Sequence, residues 1–333
     1  MTRVLVTGLC GFIGHHVTDV LLDETDWDIV GIDRIDATST PHRLLYLPGW
    51  REKAKRVSFV WHDIRAPIND FVRRKIGDVD VVLHLAASTH VDRSIEDPLA
   101  FVADNVMGTG HVLEFARAVQ PKLFVNFSTD EVFGPAAPGT AYKEWDRYHS
   151  GNPYAASKAG AVELGSAYHN TYGVPVLTTF TMNVLGERQH AEKFVPKIIG
   201  HVLSGKTLPI HSDKTRTRSG SRFYVHARNV GHALKFLVDA AMADASLIGD
   251  RVNIVGEKEV TNLELSQMVA GVVGRPLNYE LVDFHSSRPG HDLRYALDGT
   301  KLREMGFRYP WSLQESLRHI VAWYLDNRDW LTA

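Results

Sequence analysis

Short apolar runs alternate with helix-period segments through the first half of the chain, and this rhythm constrains the fold more than any other feature. Runs with the length and composition of strands are Arg3–Thr7, Asp28–Asp33, Val57–Trp61, Val79–Leu85, Lys122–Ser128 and Pro175–Phe180. The helices expected between and after them are Phe12–Leu22, Pro98–Val119 and Pro153–Tyr172. Strands that alternate with helices form parallel sheets covered on both faces. The sequence therefore predicts an α/β fold with a doubly wound parallel sheet of the Rossmann type.

The regular alternation of strands and helices ends after Asn183. The stretch Thr207–Gly220 is polar and basic, which is typical of an exposed loop or hairpin. Helical patterns return at Asn229–Ala243, Asn262–Val273 and Ser312–Asp326. We therefore expect a Rossmann domain made mainly of residues 1–182 and a smaller substrate-binding domain at 183–333, with some chain crossing back to the first.

Three glycines follow the first predicted strand and precede the first predicted helix. Gly8 allows a tight turn, Gly11 lets the backbone approach a diphosphate, and Gly14 lets helix and strand pack closely. The helix N-terminus, at Phe12 and Ile13, offers free N–H groups and a positive dipole end to an anion. Alone, this pattern is equally typical of an ordinary strand–helix turn.

An acidic residue at the end of the second strand strengthens the dinucleotide interpretation. Asp33 lies 19 residues after Gly14, where a carboxylate accepts hydrogen bonds from the adenosine ribose. This favours NAD over NADP, although the neighbouring Arg34 is a feature that supports a 2′-phosphate. Asp63 ends the third strand and either binds the adenine edge or caps a turn.

Tyr154 and Lys158 stand four residues apart, on one face of a predicted helix. A nearby ammonium and the positive ring of NAD favour the phenolate form of Tyr154, which then accepts a proton from a sugar hydroxyl. The alternative is an ordinary surface Tyr/Lys pair, which the glycine pattern upstream makes less attractive.

Two adjacent carboxyl groups follow the fifth strand. Thr129 can bond the same hydroxyl as Tyr154, and Asp130 and Glu131 come directly after it. Such positions lie at the edge of the sheet where ligands bind. A solvated acidic turn is the alternative, but elimination of water needs an acid and a base here whereas simple dehydrogenation does not.

Composition excludes several other classes of function. The 333 residues carry a net charge of −2, which gives no basic surface for nucleic acid or an anionic membrane. No apolar stretch is long enough to span a bilayer. The single cysteine, Cys10, excludes an intramolecular disulfide and fits a cytoplasmic enzyme. The 17 histidines are scattered, so no metal site is expected.

Taken together, the motifs resemble those of the dTDP-glucose 4,6-dehydratases and their relatives within the extended short-chain dehydrogenases. The resemblance covers nearly the whole chain. It is carried by Thr7–Gly14, His84–Ser94, Ser128–Gly134, Tyr154–Lys158 and Arg288–Ala296. The adjacent acid pair in Ser128–Gly134 is more specific than the glycine and tyrosine motifs.

The resemblance implies roles for individual residues. The catalytic set would be Thr129, Asp130, Glu131, Tyr154 and Lys158. NAD would contact Gly8, Gly11, Phe12, Ile13, Gly14, Asp33, Asp63, Ile64, Leu85, Ala86, Ala87, Tyr154 and Lys158. The nucleotide-diphosphate hexose would contact Ser88, His90, Asn183, Glu192, Lys193, Arg222, Arg288 and His291. The family also implies a homodimer that packs Pro98–Val119 against Pro153–Tyr172 across a two-fold axis.

Three segments depart from the family pattern. Ser88 stands where many relatives carry Glu or Gln, and Val184–Glu187 replaces an Asn-Tyr-Gly-Pro stretch. In Gly220–Val225, Arg222 needs a shift of register to replace the family arginine. These departures affect the expected substrate contacts and leave the cofactor and dehydration residues unchanged.

The expected reaction has three steps. Tyr154 takes the C4 hydroxyl proton as hydride passes to NAD. Glu131, ionised beforehand, removes the C5 proton while Asp130, protonated beforehand, protonates the leaving C6 oxygen. Hydride then returns to C6. The alternatives are a 4-epimerase or another NAD-dependent sugar-nucleotide enzyme, which would not need the acid pair, and a non-catalytic NAD-binding regulator.

Overall fold

The computed structural model describes residues 2–283 and 293–332. Its strands are β1 Arg3–Thr7, β2 Asp28–Asp33, β3 Val57–Trp61, β4 Val81–His84, β5 Leu123–Thr129, β6 Val176–Thr181, β7 Asn183–Leu185, β8 Leu208–Ser212, β9 Ser221–His226, β10 Arg251–Ile254, β11 Glu259–Thr261 and β12 Tyr279–Asp283. Its α-helices are α1 Phe12–Glu24, α2 His42–Leu45, α3 Trp50–Lys53, α4 Asp70–Ile76, α5 Val91–Glu96, α6 Pro98–Phe101, α7 Gly108–Val119, α8 Pro153–Tyr172, α9 Phe194–Ser204, α10 Ala227–Ala243, α11 Asn262–Val273, α12 Thr300–Glu304 and α13 Leu313–Asp326.

A seven-stranded parallel sheet organises the first half, which confirms the predicted Rossmann-type fold. The strand order is β10-β6-β5-β4-β1-β2-β3, so the direction of winding reverses between β1 and β4. Ligands bind beyond the carboxyl ends of strands at such a switch point. Each predicted strand is found within two residues of its expected bounds.

Alternate residues of each central strand fill two different cores. In β1, Val4 and Val6 pack on the face covered by α1 and α10, whereas Leu5 packs on the face covered by α7. This double burial explains why the strands are continuously apolar rather than alternating. Among the described residues, no helix is both long and apolar enough to cross a membrane.

The second half contributes one strand to the large sheet and builds smaller sheets of its own. Strand β10 pairs in parallel with β6, at the edge of the large sheet. Strands β11, β9 and β7 form one small sheet, and β12 pairs with β8 in another. The division at residues 182 and 183 stays a prediction.

Two expectations need correction. Within Thr207–Gly220, expected to be an exposed loop or hairpin, β8 forms a strand whose Leu208 and Ile210 are fully buried. It is paired with a strand about seventy residues later, so no local pattern reveals it. The helix expected over Pro98–Val119 is α-helical at both ends, but Val102–Met107 forms a π-helix between α6 and α7.

Candidate active site

The glycine turn between β1 and α1 is closed so tightly that side chains cannot enter it. A Cβ on Gly14 would lie 2.0 Å from the Gly8 carbonyl oxygen, and Gly8 has a φ of +72°. Helix α1 begins at Phe12, and its N-cap residue is Gly11, which has no side chain to bond the N–H groups of the first turn. The first N–H groups of a helix have no partner within it, so those of α1 are available to an anion. The turn thus fits a dinucleotide diphosphate.

Asp33 ties the end of β2 to this turn. Its Oδ2 accepts from the Cys10 N–H at 3.0 Å, and its Oδ1 accepts from Ile35 N–H at 2.9 Å and from the Ser39 hydroxyl at 2.6 Å. The carboxylate is buried, where such bonds gain strength from the low dielectric. The loop that would receive an adenosine ribose is therefore fixed in place around Asp33.

Arg34 is engaged by two other acids. Its guanidinium donates to Asp36 at 2.6 Å and to Asp104 at 2.7 Å. Two carboxylates beside the guanidinium neutralise it, so the end of β2 carries net negative charge. That environment disfavours a 2′-phosphate and removes the one feature that favoured NADP.

Asp63 and Ile64 follow β3. The Asp63 carboxylate accepts from the Arg65 backbone at 3.0 Å and from its guanidinium at 2.9 Å, which is the turn-capping arrangement. The Ile64 side chain packs so close to Gly108 that a Cβ there would lie 2.8 Å away.

The segment Leu85–Ala87 is held beside the glycine turn by Thr7. The Thr7 hydroxyl oxygen accepts from the N–H groups of Leu85 and Ala86, both at 3.0 Å. It is also 2.9 Å from Nδ1 of His84, whose pKa burial lowers to about 3, with a smaller effect from Lys158. A neutral imidazole thus locks β4 beside β1, at the switch point of the sheet.

Ser88 is fixed to the π-helix rather than directed at open space. Its hydroxyl donates to Asp104, and its N–H donates to Asn105 Oδ1 at 2.8 Å. The Asn105 amide donates in turn to Ser157 Oγ at 2.8 Å, and Ser157 donates to the Tyr154 carbonyl at 2.7 Å. The π-helix therefore connects the loop after β4 to the helix that carries Tyr154.

Tyr154 and Lys158 are both buried on the inner face of α8. Burial raises the pKa of Tyr154 above its usual value, the charge of Glu131 raises it further, and a hydrogen bond with Thr129 opposes these effects. Lys158 Nζ donates to the Phe127 carbonyl at 2.8 Å, and burial lowers its pKa to about 8.

Asp130 and Glu131 begin a short 3₁₀ turn directly after β5. Burial raises the pKa of Asp130 to about 6, against the hydrogen bond from Thr129 at 2.9 Å and the charge of Arg222. The Asp130 Oδ2 atom is buried without a hydrogen-bond partner among the described residues. Burial and the charge of Asp130 raise the pKa of the partly exposed Glu131 to about 7.

The pKa of both carboxyl groups is raised, and the expectation that Asp130 is protonated and Glu131 ionised stays a prediction. The negative charge of Asp130 raises the pKa of Glu131, so the protonation of one group depends on that of the other. Such a pair titrates as one coupled system.

Residues of the second half approach these carboxyl groups. Arg222 lies on β9, with its guanidinium 4.6 Å from the centre of the Tyr295 ring, and its charge lowers the pKa of both acids. Lys193 caps the start of α9, where burial lowers its pKa and the charges of Glu192 and Glu131 oppose that effect. Two cations and two acids thus converge at one end of the sheet.

The other predicted substrate contacts lie at the rim. His90 Nε2 is 3.5 Å from Glu192 Oε1, so the two meet across the cleft between the loop after β4 and the segment before α9. Asn183 opens β7 and is exposed. Arg288 and His291 lie outside the described residues.

Comparison with known proteins decides the relationship. The family model for GDP-mannose 4,6 dehydratase matches residues 5–320. The chain belongs to this family.

Two relatives and one solved structure match this family member over nearly the full length of both chains. The chain is 35% identical to the low-salt glycan biosynthesis protein Agl12 of Haloferax volcanii, covering 97% of this chain and 99% of that one. It is 35% identical to a dTDP-glucose 4,6-dehydratase of an Actinoplanes species, covering 99% and 100%. A double mutant of DesIV, a dTDP-glucose 4,6-dehydratase from Streptomyces venezuelae crystallised with NAD, superposes with a TM-score of 0.87 at 33% identity and 99% coverage of both chains. The family resemblance carried by the sequence motifs is confirmed.

Sequence reasoning missed two residues of this 4,6-dehydratase family site. Asn152 caps α8 by accepting from Ala155 N–H at 2.8 Å, and its amide donates to Glu131 Oε2 at 3.2 Å. An asparagine directly before a proline that opens a helix is a recognisable cap signal, although its link to Glu131 is not. Asp104 holds both Arg34 and Ser88, and nothing in the local pattern indicates this.

Proposed function

We propose that the protein is an NAD-dependent nucleotide-hexose 4,6-dehydratase that forms a nucleotide-linked 4-keto-6-deoxyhexose. The observation that carries the proposal is the pair Asp130 and Glu131, placed beside Tyr154 with both carboxyl pKa values raised toward neutrality. An acid and a base that both work near pH 7 are what elimination of water requires. A dehydrogenase or an epimerase has no use for them.

The tight glycine turn, the uncapped start of α1 and the acidic surroundings of Arg34 fit NAD as the cofactor. Gly8, Gly11, Phe12, Ile13 and Gly14 would hold its diphosphate. Asp33, Asp63, Ile64 and Leu85–Ala87 would line its adenosine and ribose. When bound, NAD supplies a positively charged ring that takes a hydride from C4 and later returns it to C6.

The residues of the chain move the protons. Tyr154 takes the proton of the C4 hydroxyl, and Thr129 and Lys158 favour the phenolate that this requires. The ketone at C4 then acidifies the C5 hydrogen, which Glu131 removes. Asp130 delivers its proton to the C6 oxygen, which leaves as water. Glu131 gives a proton back to C5 when C6 receives the hydride.

This assignment requires Asp130 to be protonated and Glu131 to be ionised when the substrate is bound. The hydrogen bond from Asn152 and the nearby charge of Lys193 both favour the ionised form of Glu131. The unpartnered Oδ2 of Asp130 is placed to carry a proton toward a substrate oxygen, since a buried carboxylate oxygen without a partner is costly.

The substrate diphosphate would be bound by the cations of the second half. Arg222 and Lys193 supply positive charge beside the acids, and Asn183, Glu192, His90 and Ser88 lie around or behind the same cleft. Arg288 and His291, outside the described residues, belong to the same proposed set. A nucleotide-diphosphate sugar, whose anionic diphosphate joins an uncharged hexose to the nucleoside, suits cations placed beside the acids.

We also propose that the protein is a homodimer and works in the cytoplasm. Leu99, Val102 and Met107 leave 76%, 41% and 56% of their surface exposed along α6 and the π-helix. Exposed apolar side chains repeated along one helical stretch support a two-fold contact with a second copy. The single, buried Cys10 supports a reducing compartment.

A panel of nucleotide hexoses tests the activity directly. Incubation with the purified protein and NAD should convert at least one of them to a product lighter by one water, detected by mass spectrometry. A product of unchanged mass and inverted C4 would instead indicate a 4-epimerase. No change with any substrate, despite NAD binding, would favour a non-catalytic role.

A further inference from the structure

A buried chain of side chains connects the segment after β7 to the glycine turn. Arg188 is 5% exposed, and its Nε donates to His15 Nε2 at 2.9 Å. Because this ring nitrogen accepts, the proton of a neutral His15 lies on Nδ1, which donates to the Gly11 carbonyl at 2.9 Å. Neither residue has a part in the proposed proton transfers.

We call the hydrogen bonds from Arg188 through His15 to the Gly11 carbonyl the relay, and it requires a neutral His15. Burial lowers the pKa of His15 well below its usual value, and the charge of Arg188 lowers it further. The ring is therefore neutral and keeps the acceptor nitrogen that Arg188 needs. A protonated ring would carry a proton on both nitrogens and would break the contact.

The Gly11 carbonyl controls where α1 presents its first N–H group. Gly11 precedes the first residue of α1, and its oxygen also accepts from the His15 backbone at 3.2 Å. In a trans peptide the C=O of one residue and the N–H of the next point in opposite directions. Fixing the Gly11 oxygen toward His15 therefore directs the Phe12 N–H away from the helix body, toward the place of the proposed diphosphate.

A second buried arginine fixes Arg188 itself. Arg43 Nε donates to the Arg188 carbonyl at 3.0 Å, and its Nη1 donates to the Cys10 carbonyl at 3.1 Å. Arg188 has a φ of +62°, an uncommon conformation that costs about 1 kcal/mol or more for a non-glycine residue. Such a conformation persists only where its surroundings fix it, as Arg43 does here.

The same segment contacts the strand that carries Arg222. Glu187 Oε2 lies 3.2 Å from Nε2 of His226, the last residue of β9. The Glu187 carbonyl is 3.0 Å from Nε2 of His16, the neighbour of His15 on α1. Residues 187 and 188 thus join the substrate side of the molecule to its cofactor side.

We propose that Arg188 and His15 are positioning residues for the cofactor, which orient the peptide groups of the glycine turn toward the NAD diphosphate without touching it. This inference rests on the proposed use of NAD. Arg188 directly follows Val184–Glu187, where the chain departs from the family pattern.

Two substitutions at His15, to Asn and to Leu, test the relay, because these two side chains have nearly the same size and shape. Asn can still donate to the Gly11 carbonyl, whereas Leu cannot. His15→Leu should weaken NAD binding about tenfold, and His15→Asn should stay within about threefold of the unaltered protein. The dissociation constant is measured by calorimetry on protein stripped of cofactor, and the unfolding midpoint is measured without NAD.

As a single substitution, Arg188→Met should weaken NAD binding to a similar extent as His15→Leu. Added to His15→Leu, it should weaken binding further by less than about twofold, because both residues act through one carbonyl. Arg251→Met, which removes another buried arginine on β10, should lower stability and leave NAD affinity unchanged. If Arg188→Met does not fold, the Asn/Leu pair at His15 decides alone.

Equal NAD affinity of His15→Leu and His15→Asn would overturn the inference, as would independent effects of Arg188→Met and His15→Leu that multiply. Failure of the unaltered protein to bind NAD would instead contradict the proposed cofactor.

Discussion

At the scale of single residues, Asp130 and Glu131 carry an electrostatic cost in the free protein. Both carboxyl groups are taken out of water, and Glu131 also faces the charge of Asp130, so their pKa values rise to about 6 and about 7 from reference values of 3.8 and 4.5. A group whose pKa is raised by folding takes up protons on folding, so its contribution to stability falls as pH rises through that interval.

The first prediction follows from this fall in stability with rising pH. The double variant Asp130→Asn with Glu131→Gln should be more stable than the unaltered protein at pH 8, by on the order of 2 kcal/mol. The difference should shrink at pH 5, where the carboxyl pair of the folded protein is largely protonated. Urea unfolding of both proteins at the two pH values measures it. A difference that does not depend on pH would contradict the raised pKa values.

Much of the site is visible in the sequence, but its supporting contacts are not. Gly8, Gly14, Asp33 and the pair Tyr154 and Lys158 are found by spacing, because each must stand at a fixed offset from a strand end or a helix turn. The relay through His15 and Arg188 joins residues 173 positions apart. No local pattern encodes such a contact, since only the fold brings its two ends together.

At the scale of elements, local pattern predicts the large sheet well and the second half less well. Strands β1, β2, β4, β5 and β6 are buried on both faces and are largely apolar, and the edge strand β3 is recognised by its apolar composition although it is partly exposed. Strand β8 alternates buried and partly exposed residues and has its partner far along the chain, so it resembles a polar loop. The π-helix at Val102–Met107 is equally hidden, because Asp104 and Asn105 are set by long-range bonds to Arg34, Ser88 and Ser157.

The second prediction compares two glycines in helices. A Cβ on Gly14 would overlap the Gly8 carbonyl, so Gly14→Ala should destabilise the protein by about 2–3 kcal/mol and weaken NAD binding. Gly200 lies inside α9 with open space around its Cβ position, so Gly200→Ala should stabilise by about 0.5–1 kcal/mol. Urea unfolding measures both. Equal effects of the two substitutions would mean that helix propensity, and not the tight turn, determines the outcome at Gly14.

At the scale of the whole molecule, the π-helix and α7 lie beside α8 and present one surface. A Cβ on Gly160 would lie 3.1 Å from Val106, and the Tyr168 hydroxyl donates to Glu114 at 2.6 Å. Leu99 and Met107 are exposed on the stretch that leads into α7. This is the surface on which the proposed dimer depends.

The third prediction concerns that surface. Light scattering at micromolar concentration should give the mass of two chains. The double variant Leu99→Glu with Met107→Glu should give one chain, because charge cannot be buried unpaired in an apolar contact. Phe71→Glu, at an exposed apolar residue on α4, is the matched control and should remain dimeric. A monomeric unaltered protein would contradict the dimer.

The most direct test of the account follows the C5 hydrogen when the acid pair is removed. The variant Asp130→Asn with Glu131→Gln is given NAD and a nucleotide hexose that the unaltered enzyme dehydrates, in deuterated solvent. Tyr154 and Lys158 are intact, so absorbance of reduced nicotinamide should appear and persist. The sugar should keep its C6 hydroxyl group and gain no deuterium at C5. Water loss at the rate of the unaltered enzyme would show that these carboxyl groups do not perform the elimination.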